Sequence, residues 1–193
     1  METPQADRLV LMNNPIRVTG TRDVYRGNLV QLREDFVVLP QGTPAVYERV
    51  EIKHGASTLA MEENGDVWLV KEWKYAVGRP SIEVVSGGIE VGEEPLAAAR
   101  RELREEAGLT AREWTELGFV DPFTTMLVCP NHLFLARGLE TVGRELEEAE
   151  AHMELLRVPM EEAVRMALTG EMTHATSCVL IMKAAALAGV IKY

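Results

Sequence analysis

The feature that most restricts the fold is a glycine loop that leads into a helix rich in acidic residues. Residues 81–85 have the character of a strand, and Gly87 follows them directly. Pro95 suits a first helical turn, residues 96–107 favour a helix, and Gly108 supplies a stop. The sequence therefore predicts a strand, a glycine loop and a helix in immediate succession.

Three glutamates share one face of this helix. Glu102 lies four residues before Glu106 and three before Glu105, so the three side chains project from adjacent positions. Like charges at this spacing destabilise a helix unless a cation lies among them. Carboxylate oxygens suit Mg²⁺ or Mn²⁺, and Mg²⁺ is commonly shared with substrate phosphates. The pattern indicates metal-assisted phosphate chemistry, although a solvated charged face is the more common reading of such a helix.

The spacing of the fixed residues decides between these interpretations. In chain order they are Gly87, Glu93, Arg101, Glu102, Glu105, Glu106 and Gly108. Five residues separate the first two, and seven separate the second from the third. This is the complete Nudix box, and so many fixed positions recur by chance far more rarely than a short motif does. The chain is identified as a member of the Nudix family.

The resemblance extends beyond the box. Residues 70–76, 83–88 and 131–139 resemble the corresponding segments of the ADP-ribose and nucleoside-diphosphate-sugar pyrophosphatases. That group implies an α/β/α Nudix sandwich, in keeping with the α/β or α+β class that the order of strands and helices predicts. It also implies that residues 1–53 form a β-rich, dimer-forming region and that residues 54–193 form the catalytic domain.

The resemblance implies a metal site and a reaction. The implied ligands are the carboxylates of Glu102 and Glu106, Glu105 directly or through water, and the backbone carbonyl of Ser86. Arg101 and Glu93 would form the salt bridge that orients the helix. The metal would be Mg²⁺, for which Mn²⁺ can substitute. Water would attack one phosphorus of a nucleoside diphosphate derivative, giving a nucleoside monophosphate and a sugar phosphate.

The general base in the resembling enzymes often lies in a mobile acidic loop. That loop corresponds here to residues 144–154, where Glu150 is the favoured candidate, followed by Glu147 or Glu148. Glu105 could take the proton instead. A solvated acidic loop in which no single glutamate matters stays open as an alternative.

Three residues near the box are candidate substrate contacts: Lys74, Trp73 and Arg79. The family usually has Arg at the position of Lys74, and Lys acts as a point charge rather than a bidentate donor. Trp73 could stack on a base or sugar, or could simply pack at a strand end. The ADP-ribose hydrolases tend to carry Ser-Pro-Gly after the box, where this chain has Asp-Pro-Phe-Thr-Thr at residues 121–125. ADP-ribose and nucleotide sugars such as GDP-mannose therefore both stay open.

Charge and cysteine content restrict the partners and the compartment. The chain has 20 Lys and Arg against 30 Asp and Glu, and its net charge of −10 repels a nucleic-acid backbone. Cys129 and Cys178 form no disulfide framework and lack zinc-site spacing. No leader pattern opens the sequence, and the apolar run at residues 184–191 is too short for a membrane span. We expect a cytoplasmic homodimer that acts on a small molecule, without a nucleic-acid or membrane partner.

Weaker patterns place the remaining elements. Apolar β-formers at residues 24–32, 36–39 and 132–136 predict strands. Residues 159–168 and 173–188 predict two later helices, the second apolar over a broad face.

Two other functions are compatible with the sequence. A Nudix hydrolase of another phosphate substrate, such as a dinucleoside polyphosphate or an oxidised nucleotide, would use the same box. A ligand-sensing Nudix module without turnover would ordinarily lose box carboxylates, whereas this box is intact.

Overall fold

The computed structural model describes residues 14–146, 148 and 151–192. Within this part the strands are β1 (Arg17–Arg26), β2 (Val30–Val38), β3 (Pro44–Ile52), β4 (Gly55–Met61), β5 (Asp66–Lys74), β6 (Arg79–Glu83), β7 (Val85–Gly88), β8 (Leu109–Val120), β9 (Leu127–Val128), β10 (Asn131–Thr141) and β11 (Glu154–Pro159). The α-helices are α1 (Pro95–Ala107), α2 (Met160–Thr169) and α3 (Ala175–Leu187). The chain divides into two compact units, of which the first holds the described residues up to Ile52 together with Thr125–Val128.

The first unit is a sheet in the order β1-β2-β3-β9. Its first three strands are antiparallel, and β9 runs parallel to β3. The predicted strand at residues 24–32 is wrong as a single element, because Gly27 and Asn28 turn the chain between β1 and β2. The N–H of Gly27 donates to the carbonyl of Val30 at 2.8 Å and closes that turn. Large apolar side chains remain exposed on this sheet, among them Val18, Val24, Tyr25, Val46 and Tyr47.

The second unit is built on a sheet in the order β11-β5-β4-β10-β8. Strand β10 runs parallel to β4, whereas β8, β5 and β11 pair antiparallel with their neighbours. Strand β6 pairs with β5, and β7 pairs with β4. The predicted glycine loop therefore begins as strand: Ser86 lies opposite Ser57, and Gly88 lies opposite Gly55.

Helices cover both faces of this sheet. Successive side chains on a strand point to opposite faces. Leu59 and Leu133 are fully buried in a cluster that includes residues of α2 and α3. Ala60, which follows Leu59, and Ala136, which lies three residues after Leu133, pack instead with Leu103 of α1. The predicted mixed α/β class with helices on either side of a sheet is confirmed.

The strongest local signals placed the helices correctly. Helix α1 begins at Pro95 and ends before Gly108, whose φ of +65° is readily adopted by glycine and whose N–H donates to the carbonyl of Arg104 at 3.0 Å. The two later predicted helices are confirmed as α2 and α3. None of the helices in the described part of the chain has the length and apolar character needed to cross a membrane.

Candidate active site

Strand β7 and helix α1 meet at a contact that has room only for glycine. A Cβ placed on Gly87 would lie 2.0 Å from the carboxyl carbon of Glu102 and 2.0 Å from one of its oxygens. The Glu102 carboxylate therefore lies directly on the backbone of β7. Ser86 of β7 lies opposite Ser57 of β4, and their hydroxyls are hydrogen-bonded at 2.7 Å.

The box glutamates of α1 differ in burial. Glu102 is 9 % exposed and Glu106 is 5 % exposed, whereas Glu105 is half-buried. The N–H of Ser86 donates to Oε2 of Glu106 at 3.4 Å. The predicted ligand residues are thus within one small region where β7 faces α1.

Arg101 links this region to the loop before the helix. Its Nε and Nη2 donate to the two carboxylate oxygens of Glu93 at 3.0 and 3.1 Å, and Nη2 also donates to the carbonyl of Gly88 at 2.9 Å. These hydrogen bonds from Arg101 lower the pKa of Glu93, and the Glu93 carboxylate in turn raises the pKa of Arg101. The resemblance implies a salt bridge between Arg101 and Glu93, and the structure brings the two side chains together.

The donor set of this region fits a hard divalent cation. Two buried carboxylates four residues apart on one helix repel each other, and oxygen donors are the ligands that Mg²⁺ and Mn²⁺ prefer. Nη1 of Arg101 donates to Glu102 at 2.7 Å and to Glu105 at 3.1 Å and so supplies positive charge there. As the side chains stand, no group of three or more His, Cys, Asp or Glu residues among those described has the geometry to hold a metal ion.

A cavity of about 560 Å³ opens beside the box. Three candidate residues line it: Lys74, Arg79 and Ser86. Arg79 donates from Nη2 to the hydroxyl of Thr173 at 2.9 Å. Trp73 lies outside this lining, and 62 % of its surface is exposed.

The cavity also contains groups that the sequence did not single out. They are Lys53, His54, Glu83, Asn131, Thr173 and His174. Glu83 offered one sequence signal: it is a carboxylate between Ile82 and Val84, in a strand whose apolar neighbours indicate burial. Asn131 begins the segment 131–139, which resembles the pyrophosphatases, and the other four carried no spacing that pointed to a common site.

Glu83 lies close to the Lys74 ammonium and to the His174 ring on the cavity wall. Its Oε2 is 3.6 Å from Nζ of Lys74 and 3.3 Å from Nδ1 of His174. Burial alone would lower the pKa of Lys74, but its hydrogen bond to Glu72 and the charge of Glu83 outweigh burial and raise it. For His174 burial dominates and lowers the pKa, which the Glu83 charge only partly offsets. His174 is therefore neutral near pH 7.

The acidic stretch after β10 is tied to the end of α1. Nε of Arg144 donates to the carbonyl of Glu106 at 2.6 Å, and its Nη1 donates to the carbonyl of Met153 at 3.2 Å. The N–H of Glu145 donates to the carbonyl of Glu105 at 3.0 Å. Of the candidate bases, Glu150 and Glu147 lie outside the described residues, and Glu148 is exposed.

A larger cavity, of about 710 Å³, lies at another part of the same unit. It is lined by the turn between β4 and β5, by Arg112 and Arg137, and by the end of α3. None of the candidate residues lines it, so chemistry rather than size identifies the site beside the box.

Known proteins resemble this chain in both sequence and fold. The NUDIX domain family model matches residues 53–177. The chain is 35 % identical over 157 residues to an ADP-ribose pyrophosphatase of Mycobacterium tuberculosis, covering 80 % of this chain and 76 % of the relative. It is 30 % identical over 174 residues to an ADP-ribose pyrophosphatase of Bacillus subtilis, covering 86 % and 90 %. A solved structure described as an ADP compounds hydrolase matches with a TM-score of 0.80 over 92 % of this chain and 96 % of that one, at 17 % identity, which is a likeness of fold.

Proposed function

The chain belongs to the NUDIX family, and we propose that it hydrolyses the diphosphate of ADP-ribose or of a nucleotide sugar such as GDP-mannose. As a Nudix pyrophosphatase it cleaves a phosphoric anhydride bond. The relatives named as ADP-ribose pyrophosphatases favour ADP-ribose as the first substrate to test. The products would then be AMP and ribose 5-phosphate.

One observation carries the proposal: the Glu102 carboxylate lies on the backbone at Gly87, next to Ser86 and Glu106. The residues that would hold Mg²⁺, or Mn²⁺ in its place, are Glu102, Glu106, the carbonyl of Ser86, and Glu105 directly or through water. A bound divalent cation would neutralise the diphosphate and lower the pKa of the attacking water. The carboxylates that hold it come from a single helix, so the position of α1 sets the geometry.

The other residues of the site would orient the helix and the substrate. Arg101, held by Glu93 and the Gly88 carbonyl, fixes α1 against β7. Lys74 and Arg79 would bind the diphosphate oxygens from the cavity wall. Because Trp73 is outside the cavity lining, its stacking on a base or sugar has less support than these two contacts.

We place the general base in the acidic stretch, with Glu150 first and Glu147 or Glu148 next. The bonds from Arg144 to Glu106 and Met153 support this choice, because they hold both ends of the stretch near the last turn of α1. Glu105, which is half-buried on α1, is the alternative base.

A substrate panel tests the proposal. The purified protein would be incubated with Mg²⁺ and ADP-ribose, GDP-mannose, UDP-glucose, diadenosine polyphosphates or nucleoside triphosphates, and the products identified by mass spectrometry. A monophosphate plus a sugar phosphate is the expected outcome. Preferred cleavage of a dinucleoside polyphosphate or an oxidised nucleotide would reassign the substrate. Binding without turnover, unchanged by Glu105→Gln with Glu106→Gln, would favour a sensing module.

We further propose that the N-terminal region, residues 1–53, forms a homodimer and that the enzyme works in the cytoplasm. The exposed apolar side chains of β1 and β3, such as Val18, Tyr25 and Val46, support a second copy as the partner. One chain has a mass of 21.4 kDa. Light scattering should give twice that mass, and a value equal to one chain would contradict the dimer.

A further inference from the structure

A buried carboxylate that is not part of the box lines the cavity. Glu83 is 7 % exposed and ends strand β6. Its Oε2 faces Lys74 from β5 on one side and His174, just before α3, on the other. A buried carboxylate is costly unless charged or polar partners accompany it. Lys74 supplies a cationic partner for Glu83, and about a third of the Lys74 and His174 side chains remains exposed.

The His174 ring is held through one of its two nitrogens. Nδ1 is 2.8 Å from the hydroxyl of Ser177 and 3.3 Å from Glu83. Ser177 Oγ accepts the N–H of Val84 at 3.0 Å, so its own hydrogen can be donated to Nδ1. With Nδ1 held in this way, Nε2 is the ring atom available to a molecule in the cavity. A phosphate oxygen there would favour the neutral tautomer that carries its hydrogen on Nε2.

The neighbours of His174 also favour an anion. Thr173 accepts a hydrogen bond from Arg79, which brings a guanidinium to the residue before His174. Helix α3 begins one residue later, and the N-terminal end of a helix carries partial positive charge.

We propose that Lys74, Glu83 and His174 form a diphosphate clamp, in which Glu83 positions the Lys74 ammonium, and Lys74 and His174 contact the two phosphoryl groups of the substrate. The clamp rests on the proposed function, because it assumes a diphosphate substrate beside the box. Lys74 binds one phosphoryl group, and Nε2 of His174 donates to the other. Substrates with only one phosphoryl group in the cavity gain little from His174.

Substitutions that mimic one ring nitrogen at a time test the role of His174. The side-chain amide of Gln can take the place of Nε2, whereas that of Asn lies nearer the place of Nδ1. Binding of α,β-methylene ADP-ribose, which resists hydrolysis, would be measured by calorimetry with Mg²⁺ present. His174→Ala should weaken binding about tenfold or more, as for a lost hydrogen bond to a charged group. His174→Gln should recover part of the loss, and His174→Asn should recover less.

Steady-state kinetics of the variants give a second test, because a purely structural role of His174 would not raise KM selectively. For His174→Ala the KM for ADP-ribose should rise about as much as the analogue binding weakens, while kcat changes little. Glu83→Gln, which removes the charge that positions Lys74, should act in the same direction, and the double variant with Lys74→Ala should lose less than the two single losses combined. Better recovery with His174→Asn than with His174→Gln would show that the residue acts only through Nδ1 and would overturn the contact.

The experiments distinguish failure of the proposed function from failure of the clamp. If the wild-type protein neither binds the analogue nor cleaves ADP-ribose or GDP-mannose, the proposed function is wrong and the clamp falls with it. If the wild-type protein binds the analogue and His174→Ala binds it equally well, only the clamp is wrong. Thermal unfolding of each variant identifies any loss caused by misfolding, and the comparison of Gln with Asn then decides the role.

Discussion

One methyl group added at Gly87 tests how closely β7 and α1 must approach. The new Cβ would lie 2.0 Å from Cδ and Oε1 of Glu102 and 2.4 Å from Oε2. Ordinary contact begins near 3.4 Å, so the carboxylate would have to move by about 1.4 Å. Glu102 is buried on a packed helix and cannot simply turn into solvent. The displacement therefore moves a proposed metal ligand.

Gly87→Ala should lower turnover about a hundredfold, because a misplacement of about 1 Å in a reacting group costs roughly that factor. Overpacking should also reduce the free energy of unfolding by about 1–3 kcal/mol. The assay is kcat for ADP-ribose as a function of Mg²⁺ concentration, with thermal unfolding followed in parallel. The Mg²⁺ concentration for half-maximal rate should rise as well, since the ligand has moved.

The neighbouring glycine gives a matched control. A Cβ at Gly88 would meet Cδ of Lys53 at 2.5 Å, and that flexible side chain can move aside. Gly88→Ala should therefore lose much less turnover than Gly87→Ala. If Gly87→Ala keeps wild-type turnover and Mg²⁺ dependence, or if both variants lose turnover equally, the close approach of β7 and α1 at Gly87 is not required.

Four further predictions follow from the site and the N-terminal sheet. Glu150→Gln should lower kcat about tenfold or more with little change in KM, and near-normal turnover would remove it as the base. Lys74→Ala should raise KM for ADP-ribose about tenfold, whereas Lys71→Ala on the same strand should not; similar effects would discount a substrate contact. Because the pKa of Glu93 is lowered from 4.5, the stability advantage of the wild-type protein over Glu93→Gln should be complete above pH 4.5 and shrink below it; an advantage that grows in acid would contradict the pairing. Charged substitutions on exposed apolar residues of β1 should halve the mass in light scattering, and an unchanged mass would place the dimer contact elsewhere.

Local signals made the box helix predictable. Proline at its start, glycine at its end and a run of strong helix formers all point to the same element, so the bounds of α1 agree with the sequence. The same logic failed at Gly27, where apolar residues on both sides of a tight turn read as one strand. Strand β8 was not predicted because its apolar and polar residues do not alternate regularly along the strand.

The box carboxylates could be placed in the site from spacing alone, but the cavity wall could not. Glu83 and His174 are far apart in the sequence and meet only because α3 packs on the strands of the sheet. Trp73 shows the opposite case: it adjoins Lys74 in sequence, yet alternation along β5 turns it away from the cavity lining. Contacts that depend on tertiary packing leave no fixed spacing in the chain.

Incubation with ADP-ribose or GDP-mannose in ¹⁸O-labelled water, followed by mass spectrometry of the products, tests whether the protein hydrolyses the diphosphate with a divalent cation. We expect a nucleoside monophosphate and a sugar phosphate from at least one of these substrates, one product carrying a single ¹⁸O, only when Mg²⁺ or Mn²⁺ is present. The labelled product also identifies which phosphorus water attacks. If both substrates stay intact with either metal, or if cleavage persists after Glu105→Gln with Glu106→Gln, the proposed function is wrong.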